Sequence, residues 1–425
     1  MSAPLHELTA SAAAKLIASR EITSELLVQA CLDRIDERED TVCAWAFLDR
    51  EQALAEARQR DGEDRKGALH GIPVGIKDII DTVDMPTAYG SPIYQGTRPA
   101  WDATCVAQVR AAGGVILGKT VSSEFATFHP GATRNPRNPG HTPGGSSSGS
   151  AAAVADGMVP LAFGTQTAGS VIRPASYCGT AAYKCTHGQF GLAGVKMVAQ
   201  SLDSLGVFAR AIGDLALMRS ALIGAPPDVK SRATAPRIGL CRTPQWPEAA
   251  AETQRAVEAT AEKLRGEGAH VEDIAMPDPF PTLVDLQNRV MLFEMARNLG
   301  FEYDRHREAL SGKLRGLIEA GRSVSYRNYV QALTTRDRCR QMLADLFIGF
   351  DALLAPSAPG VAPDGLETTG NPLFNRMWTF LQVPCVNLPG HVGPDGLPVG
   401  VQLIGGLGQD DALLATAAWM ERHVG

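Results

Sequence analysis

Gly164-Thr165-Gln166-Thr167-Ala168-Gly169-Ser170-Val171-Ile172-Arg173-Pro174-Ala175-Ser176-Tyr177-Cys178-Gly179 follows closely on Pro143-Gly144-Gly145-Ser146-Ser147-Ser148-Gly149-Ser150-Ala151-Ala152-Ala153. Glycines let a backbone adopt conformations closed to other residues, and serines supply hydroxyls. The first stretch reads as a tight turn entering a helix. The second reads as a loop running into a small, Ala-rich helix over Ser150–Gly157. A third segment upstream, Gly71-Ile72-Pro73-Val74-Gly75-Ile76-Lys77-Asp78, ends an apolar strand on a lysine. Taken singly, each segment has an ordinary reading: a mobile loop, a turn, a solvated strand-end charge.

On either side of these segments, short apolar runs alternate with helical patterns. Ile72–Ile76, Val115–Leu117, Arg237–Cys241, Val271–Ile274, Ala352–Ala355, Cys385–Leu388 and Val399–Ile404 read as strands. Trp101–Ala112, Glu248–Gly266, most of Leu283–Phe347 and Asp410–Glu421 read as helices. The first 60 residues also read as helical. Leu27, Ala30, Cys31 and Ile35 form one apolar stripe, with Thr23 or Ser24 as its cap. Strands alternating with helices predict α/β layering around a central sheet.

The bulk properties narrow the function. The chain has 425 residues, 44% of them apolar and 20% charged, with a net charge of −6. It can bury a large core, and it lacks the basic stretch that phosphate neutralisation demands, so no nucleic-acid partner is expected. None of its eight cysteines forms a CxxC pair, which predicts free, mostly buried thiols in a reducing compartment. No signal-peptide pattern or long apolar stretch is present, so a cytoplasmic protein without a membrane partner is expected. No clustered His/Cys/Asp set suggests a metal, and no cofactor is expected.

Two motif matches fail on context. Gly113–Thr120 fits G-x4-G-K-[ST], but a helix precedes it and Val115-Ile116-Leu117 reads as a buried strand. A phosphate loop needs the opposite arrangement. Gly145–Gly149 fits G-x-S-x-G with Ser147 at the apex, yet an irregular loop replaces the required strand, and neither His391 nor His423 has a convincing setting.

Taken together and in order, the three segments resemble the amidase signature family. Gly118-Lys119-Thr120, Asn135–Pro139 and Gly396–Ile404 extend the resemblance over residues 5 to 422. It implies one amidase domain over 1–425, with a large, mixed, twisted sheet flanked by helices on both faces. Residues 1–65 would be a helical segment packed on that domain, and 66–210 the catalytic core. The resemblance assigns Ser170 as nucleophile, Ser146 as a bridging serine held by a cis Gly145–Ser146 peptide, and Lys77 as base. Backbone N–H groups of Thr167, Ala168, Gly169 and Ser170 would hold the oxyanion. Ser148 and Thr165 would hydrogen-bond the triad, with loop hydroxyls satisfying backbone groups as the other account of both. No metal or cofactor is implied.

This assignment suits amide chemistry. Serine is a weak nucleophile without a base, and lysine is a base only when burial keeps it neutral. Ile72, Val74 and Ile76 would supply that dry setting. The chain departs from the family at Ala168, where glycine is usual, and at Lys184-Cys185-Thr186, where Lys-Pro-Thr is usual.

Arg173 stands three residues after the nucleophile, as in malonamidase-like members, where the equivalent arginine grips a substrate carboxylate. A guanidinium is a planar, permanently charged, two-pronged donor. A short dicarboxylic acid monoamide such as malonamate is therefore the leading substrate expectation, with an internal salt bridge as the other role for Arg173. Homodimer formation is implied by the same resemblance. Three other readings stand beside it: an amidotransferase-type subunit working with partner chains, an amidase for aryl or acyl amides, and a silent binding protein on this scaffold.

Overall fold

The computed structural model describes residues 4–225 and 232–424. Among the described residues eleven strands form one sheet: β1 Trp45–Leu48, β2 Pro73–Lys77, β3 Val115–Thr120, β4 Leu161–Gln166, β5 Ala181–Lys184, β6 Ser204–Ala209, β7 Arg237–Cys241, β8 His270–Ile274, β9 Ala352–Pro356, β10 Cys385–Val392 and β11 Pro398–Ile404. Their order across the sheet is β1-β3-β2-β4-β6-β5-β10-β11-β9-β7-β8. β2 runs parallel to β3 and β4, and β7 runs parallel to β8 and β9. The remaining pairs are antiparallel, so the sheet is mixed, as expected.

Every residue of β2, β3, β4, β5, β6 and β9 is buried. Burial on both faces is why these strands read as continuous apolar runs rather than alternating ones. The period-2 geometry still sorts their side chains between two cores. Val115, Leu117, Ala162 and Phe208 join the layer under helices Ser24–Val42, Arg50–Gly62 and Ser148–Ala155. Ile116, Leu161, Phe163 and Val207 join the other, under Thr104–Ala111 and Ile212–Ile223.

Each strand read from the sequence is present, with ends shifted by up to a few residues. Four were not read. β1 interrupts the N-terminal region that reads as wholly helical: the helix ends at Cys43 in a left-handed conformation, and the chain then pairs with β3. β4, β5 and β6 are rich in Gly, Ala, Ser and Thr, and cross-strand pairing rather than composition makes them strands. Thr23 caps its helix by accepting from the Leu26 N–H. The G-x4-G-K-T run lies mostly within β3, as its context demanded. Seven of the eight cysteines are buried and all are free. Among the described residues, no helix is long and apolar enough to cross a membrane.

Candidate active site

Lys77 is the last residue of β2 and is fully buried. Its Nζ lies 2.8 Å from Ser146 Oγ and 2.8 Å from Thr165 Oγ1. Burial drives its pKa well below the ordinary lysine value, opposed only by attraction to Asp203. Ser146 is also buried, and its carbonyl accepts from the Ser123 N–H at 3.1 Å. The Gly145–Ser146 peptide is cis.

Ser170 sits where the chain leaves β4 and enters helix Ile172–Cys178. It lines a narrow cavity together with Thr167, Ala168, Arg173, Val198, Phe128, Met291 and Met295. Among the described residues no hydrogen bond joins Ser170 to Ser146. The two segments are held to each other instead by Arg173, whose Nη2 donates to the Gly145 carbonyl at 2.5 Å.

The turn from Thr167 to Ser170 is organised in one sense. The carbonyls of its first three residues are all taken: Gln287 Nε2 donates to Thr167 at 2.9 Å, Thr379 Oγ1 to Ala168 at 2.8 Å, and the Arg173 N–H to Gly169 at 3.0 Å. The N–H groups of Thr167, Ala168, Gly169 and Ser170 find no acceptor among the described residues. Successive free N–H groups with their carbonyls turned away form a concavity for a developing negative charge. Gly169 is required by packing, because a Cβ there would meet Asn375 Oδ1 and come within 2.8 Å of Pro372 Cβ. Ala168 keeps a negative φ, so alanine fits this turn without left-handed strain.

Asp203, at the entry to β6, anchors the same turn. Thr167 Oγ1 donates to it at 2.6 Å, and the N–H groups of Val198 and Ala199 donate at 2.7 and 2.9 Å. Burial pushes its carboxyl up to about 6. Gln166 caps the following helix, its Oε1 accepting from the N–H groups of Val171 and Ile172.

Arg173 is buried, and it forms no ion pair among the described residues. Its Nε and Nη1 have no partner there either. The internal salt bridge considered for it is therefore absent among the described residues. Burial lowers its pKa to about 10, which still leaves it cationic at neutral pH.

The residues singled out in the sequence thus meet in one place, with one exception. Ser148 does not reach the triad. Its Oγ donates to the Val121 carbonyl at 3.4 Å, because Ser148 opens helix Ser148–Ala155, which packs against that backbone. Thr165 does reach Lys77. Ser147, the rejected elbow serine, is fully buried and exchanges hydrogen bonds with the Thr165 backbone. Asp203, Gln166, Gln287 and Thr379 were not singled out. Asp203, Gln287 and Thr379 carried no local signal, because each reaches the site from a distant segment and the strand that follows Asp203 is itself unmarked by composition. Among the described residues no group of His, Cys, Asp and Glu is arranged to hold a metal.

With this geometry in place, the chain can be set beside known proteins. It is 34% identical to a subunit of the glutamyl-tRNA(Gln) amidotransferase of Roseiflexus castenholzii, covering 97% of this chain and 94% of the relative. It is 32% identical to the subunit of the same name from Mycobacterium leprae, covering 99% and 98%. Among solved structures, an amidase superimposes with a TM-score of 0.90 at 28% identity, covering 98% of this chain and all of the other. Peptide amidase from Stenotrophomonas maltophilia gives 0.84 at 29% identity, covering 99% and 98%. The model of the Amidase family matches residues 26–414, and the chain belongs to that family of amide-cleaving enzymes.

Proposed function

We propose that this protein hydrolyses the primary amide of a small carboxylate-bearing molecule to the acid and ammonia through an acyl-enzyme on Ser170. The observation that carries this reading is a buried lysine, held towards its neutral form, in hydrogen-bonding distance of Ser146. Ser170 Oγ attacks the amide carbon while its proton passes through Ser146 to Lys77. The N–H groups of Thr167, Ala168, Gly169 and Ser170 receive the oxyanion, where one donor typically lowers the barrier by about 3–4 kcal/mol. The proton returns through Ser146 to the leaving nitrogen, ammonia departs, and water cleaves the ester by the same path in reverse. Thr165 holds the Lys77 amine in place.

Arg173 supplies the substrate preference. It is a buried cation beside the nucleophile, with two donor groups free. A carboxylate one or two carbons from the amide would satisfy them, and malonamate fits that description. Residues 1–425 would act as one amidase domain, and the homodimer implied by the malonamidase-like resemblance is checked by light scattering.

The curated relatives support a second reading, in which the amide is that of glutamine and the ammonia is used on a partner chain. Both relatives are amidotransferase subunits matched over nearly their whole length. Their alignments run over 469 and 491 positions against the 425 residues here, so they carry segments this chain lacks. Ammonia release from malonamate, propionamide and glutamine, with Ser170→Ala as blank, tests both readings. Turnover of malonamate but not propionamide supports the first. Turnover of glutamine, with partner subunits co-purifying, supports the second. Turnover of propionamide alone would refute carboxylate recognition by Arg173.

A further inference from the structure

The cavity beside Ser170 is smaller than any amide that could react there. Its volume is about 10 Å³ for the centre of a water-sized sphere, room for one water at most. An acyl group can enter only where the wall gives way. Most of the wall is tied through its backbone. The turn from Thr167 to Ser170 is held by its carbonyls. Val198 is held on both sides: its N–H donates to Asp203 at 2.7 Å, and its carbonyl accepts from Asn298 Nδ2 at 3.1 Å. Opposite, the Ala126 and Thr127 N–H groups donate to the Ser123 and Glu124 carbonyls at 2.9 and 2.8 Å, and the Phe128 carbonyl accepts from Lys313 at 3.2 Å. Arg173 is fixed to the Gly145 carbonyl.

The rest of the lining is the side chains of Met291 and Met295, 2% and 1% exposed. A methionine side chain is unbranched, turns about three bonds and packs without strong polar ties. These two are therefore the parts of the wall that can yield at least cost. Both project from helix Leu283–Asn298, four residues apart, and Gln287 lies four residues before Met291. Residues so spaced share one helix face. Gln287 donates to the Thr167 carbonyl at 2.9 Å, which sets that face in register with the oxyanion turn. At 1.5 Å per residue, Met291 lies about 6 Å beyond Gln287 along the helix axis and Met295 about 12 Å. Steps along the helix thus lead away from the reacting carbonyl.

We propose that Met291 and Met295 are specificity-determining residues that gauge the apolar chain carried on the α-carbon of the substrate. Met291 swings aside for a short chain, and Met295 blocks a longer one. This rests on the reading of Ser170 as nucleophile of an amide hydrolase and adds the residues that set its size limit. It does not depend on what Arg173 binds.

The test uses wild type, Met291→Ala, Met295→Ala and Met218→Ala, the last a buried methionine of helix Ile212–Ile223 that does not line the cavity. Ammonia release is measured from linear amides, propionamide to hexanamide, and from malonamates with 2-alkyl groups of about one to four carbons, which keep the amide-to-carboxylate distance constant. Calorimetry follows the binding of the matching 2-alkylmalonates. Wild type should favour the shortest members. In Met295→Ala, kcat/KM of the longest members relative to the shortest should rise about 4-fold for each methylene newly accommodated, carried by KM. Met291→Ala should weaken the shortest members, which lose the side chain they pack against. Met218→Ala should lower the melting temperature and leave the length profile as in wild type. An unchanged length profile in both folded cavity variants would overturn the gauge, as would the same relaxation in Met218→Ala, the mark of general loosening. Silence on every amide, with long 2-alkylmalonates binding more tightly in Met295→Ala than in wild type, would refute the hydrolase reading and support the gauge. Silence with no such change would refute both.

Discussion

Replacing Lys77 by methionine isolates the base from the fold. The side chains are close in length, and Lys77 is fully buried, so methionine occupies nearly the same volume without an ionisable group. Two contacts of 2.8 Å, to Ser146 Oγ and Thr165 Oγ1, are lost. At about 0.5–1.5 kcal/mol for each hydrogen bond, the loss is at most about 3 kcal/mol. Removing a buried amine offsets part of it, because below its ordinary pKa of 10.5 that amine is desolvated at a cost. Lys77→Met should therefore fold.

The sign of the pH dependence follows from the same residue. Its folded pKa lies below the unfolded one, so between the two the unfolded chain binds more protons. Wild-type stability relative to Lys77→Met should rise as pH climbs through that window towards 10.5. Catalysis should behave differently from folding: loss of a positioned base typically costs 10²- to 10⁴-fold in rate, roughly 3–5 kcal/mol of barrier. The assay is ammonia release from malonamate across pH, paired with urea unfolding of both proteins. Wild-type activity should fall as pH drops and Lys77 takes up a proton. A folded Lys77→Met variant retaining more than about a tenth of wild-type kcat, with the same pH profile, would refute the assignment of Lys77 as base.

Asp203→Asn should move the acid limb of the wild-type pH profile to lower pH. It removes the charge that raises the Lys77 pKa, and with it a carboxyl that itself titrates near about 6. An unmoved limb would show that Asp203 acts only through packing. Gly169→Ala should lower kcat by about 10²-fold, the value of one misplaced oxyanion donor, and destabilise the fold by about 1–3 kcal/mol through contact with Pro372 and Asn375, both read by kinetics and thermal melting. Labelling with a fluorophosphonate should mark wild type and spare Ser170→Ala, and labelling that survives the substitution would place the nucleophile elsewhere. Incubation with a chelator should leave ammonia release intact, and a loss reversed by zinc would contradict a metal-free mechanism.

Whatever is local, or carried by one segment, could be read from the chain alone. Continuous apolar runs marked most of the sheet, since a strand buried on both faces needs no partner to look apolar. Lys77, Ser146, Ser170 and Arg173 stood out only through the resemblance that their three segments carry together, since each segment taken singly has an ordinary reading. β4, β5 and β6 stayed hidden because strands of Gly, Ala, Ser and Thr are made by their ladder partners, not by propensity. Ser148 was misplaced because a hydroxyl's partner depends on where its helix points, and that helix leans on Val121. Asp203, Gln287 and Thr379 reach the oxyanion turn from segments 36 to more than 200 residues away along the chain. Order and spacing along the chain therefore sufficed for the resemblance to the family, and the resemblance in turn named the candidate reacting groups. Which carbonyls are turned away, which N–H groups are left free and which cations lack a counter-charge are settled by folding, because each is a contact between distant segments.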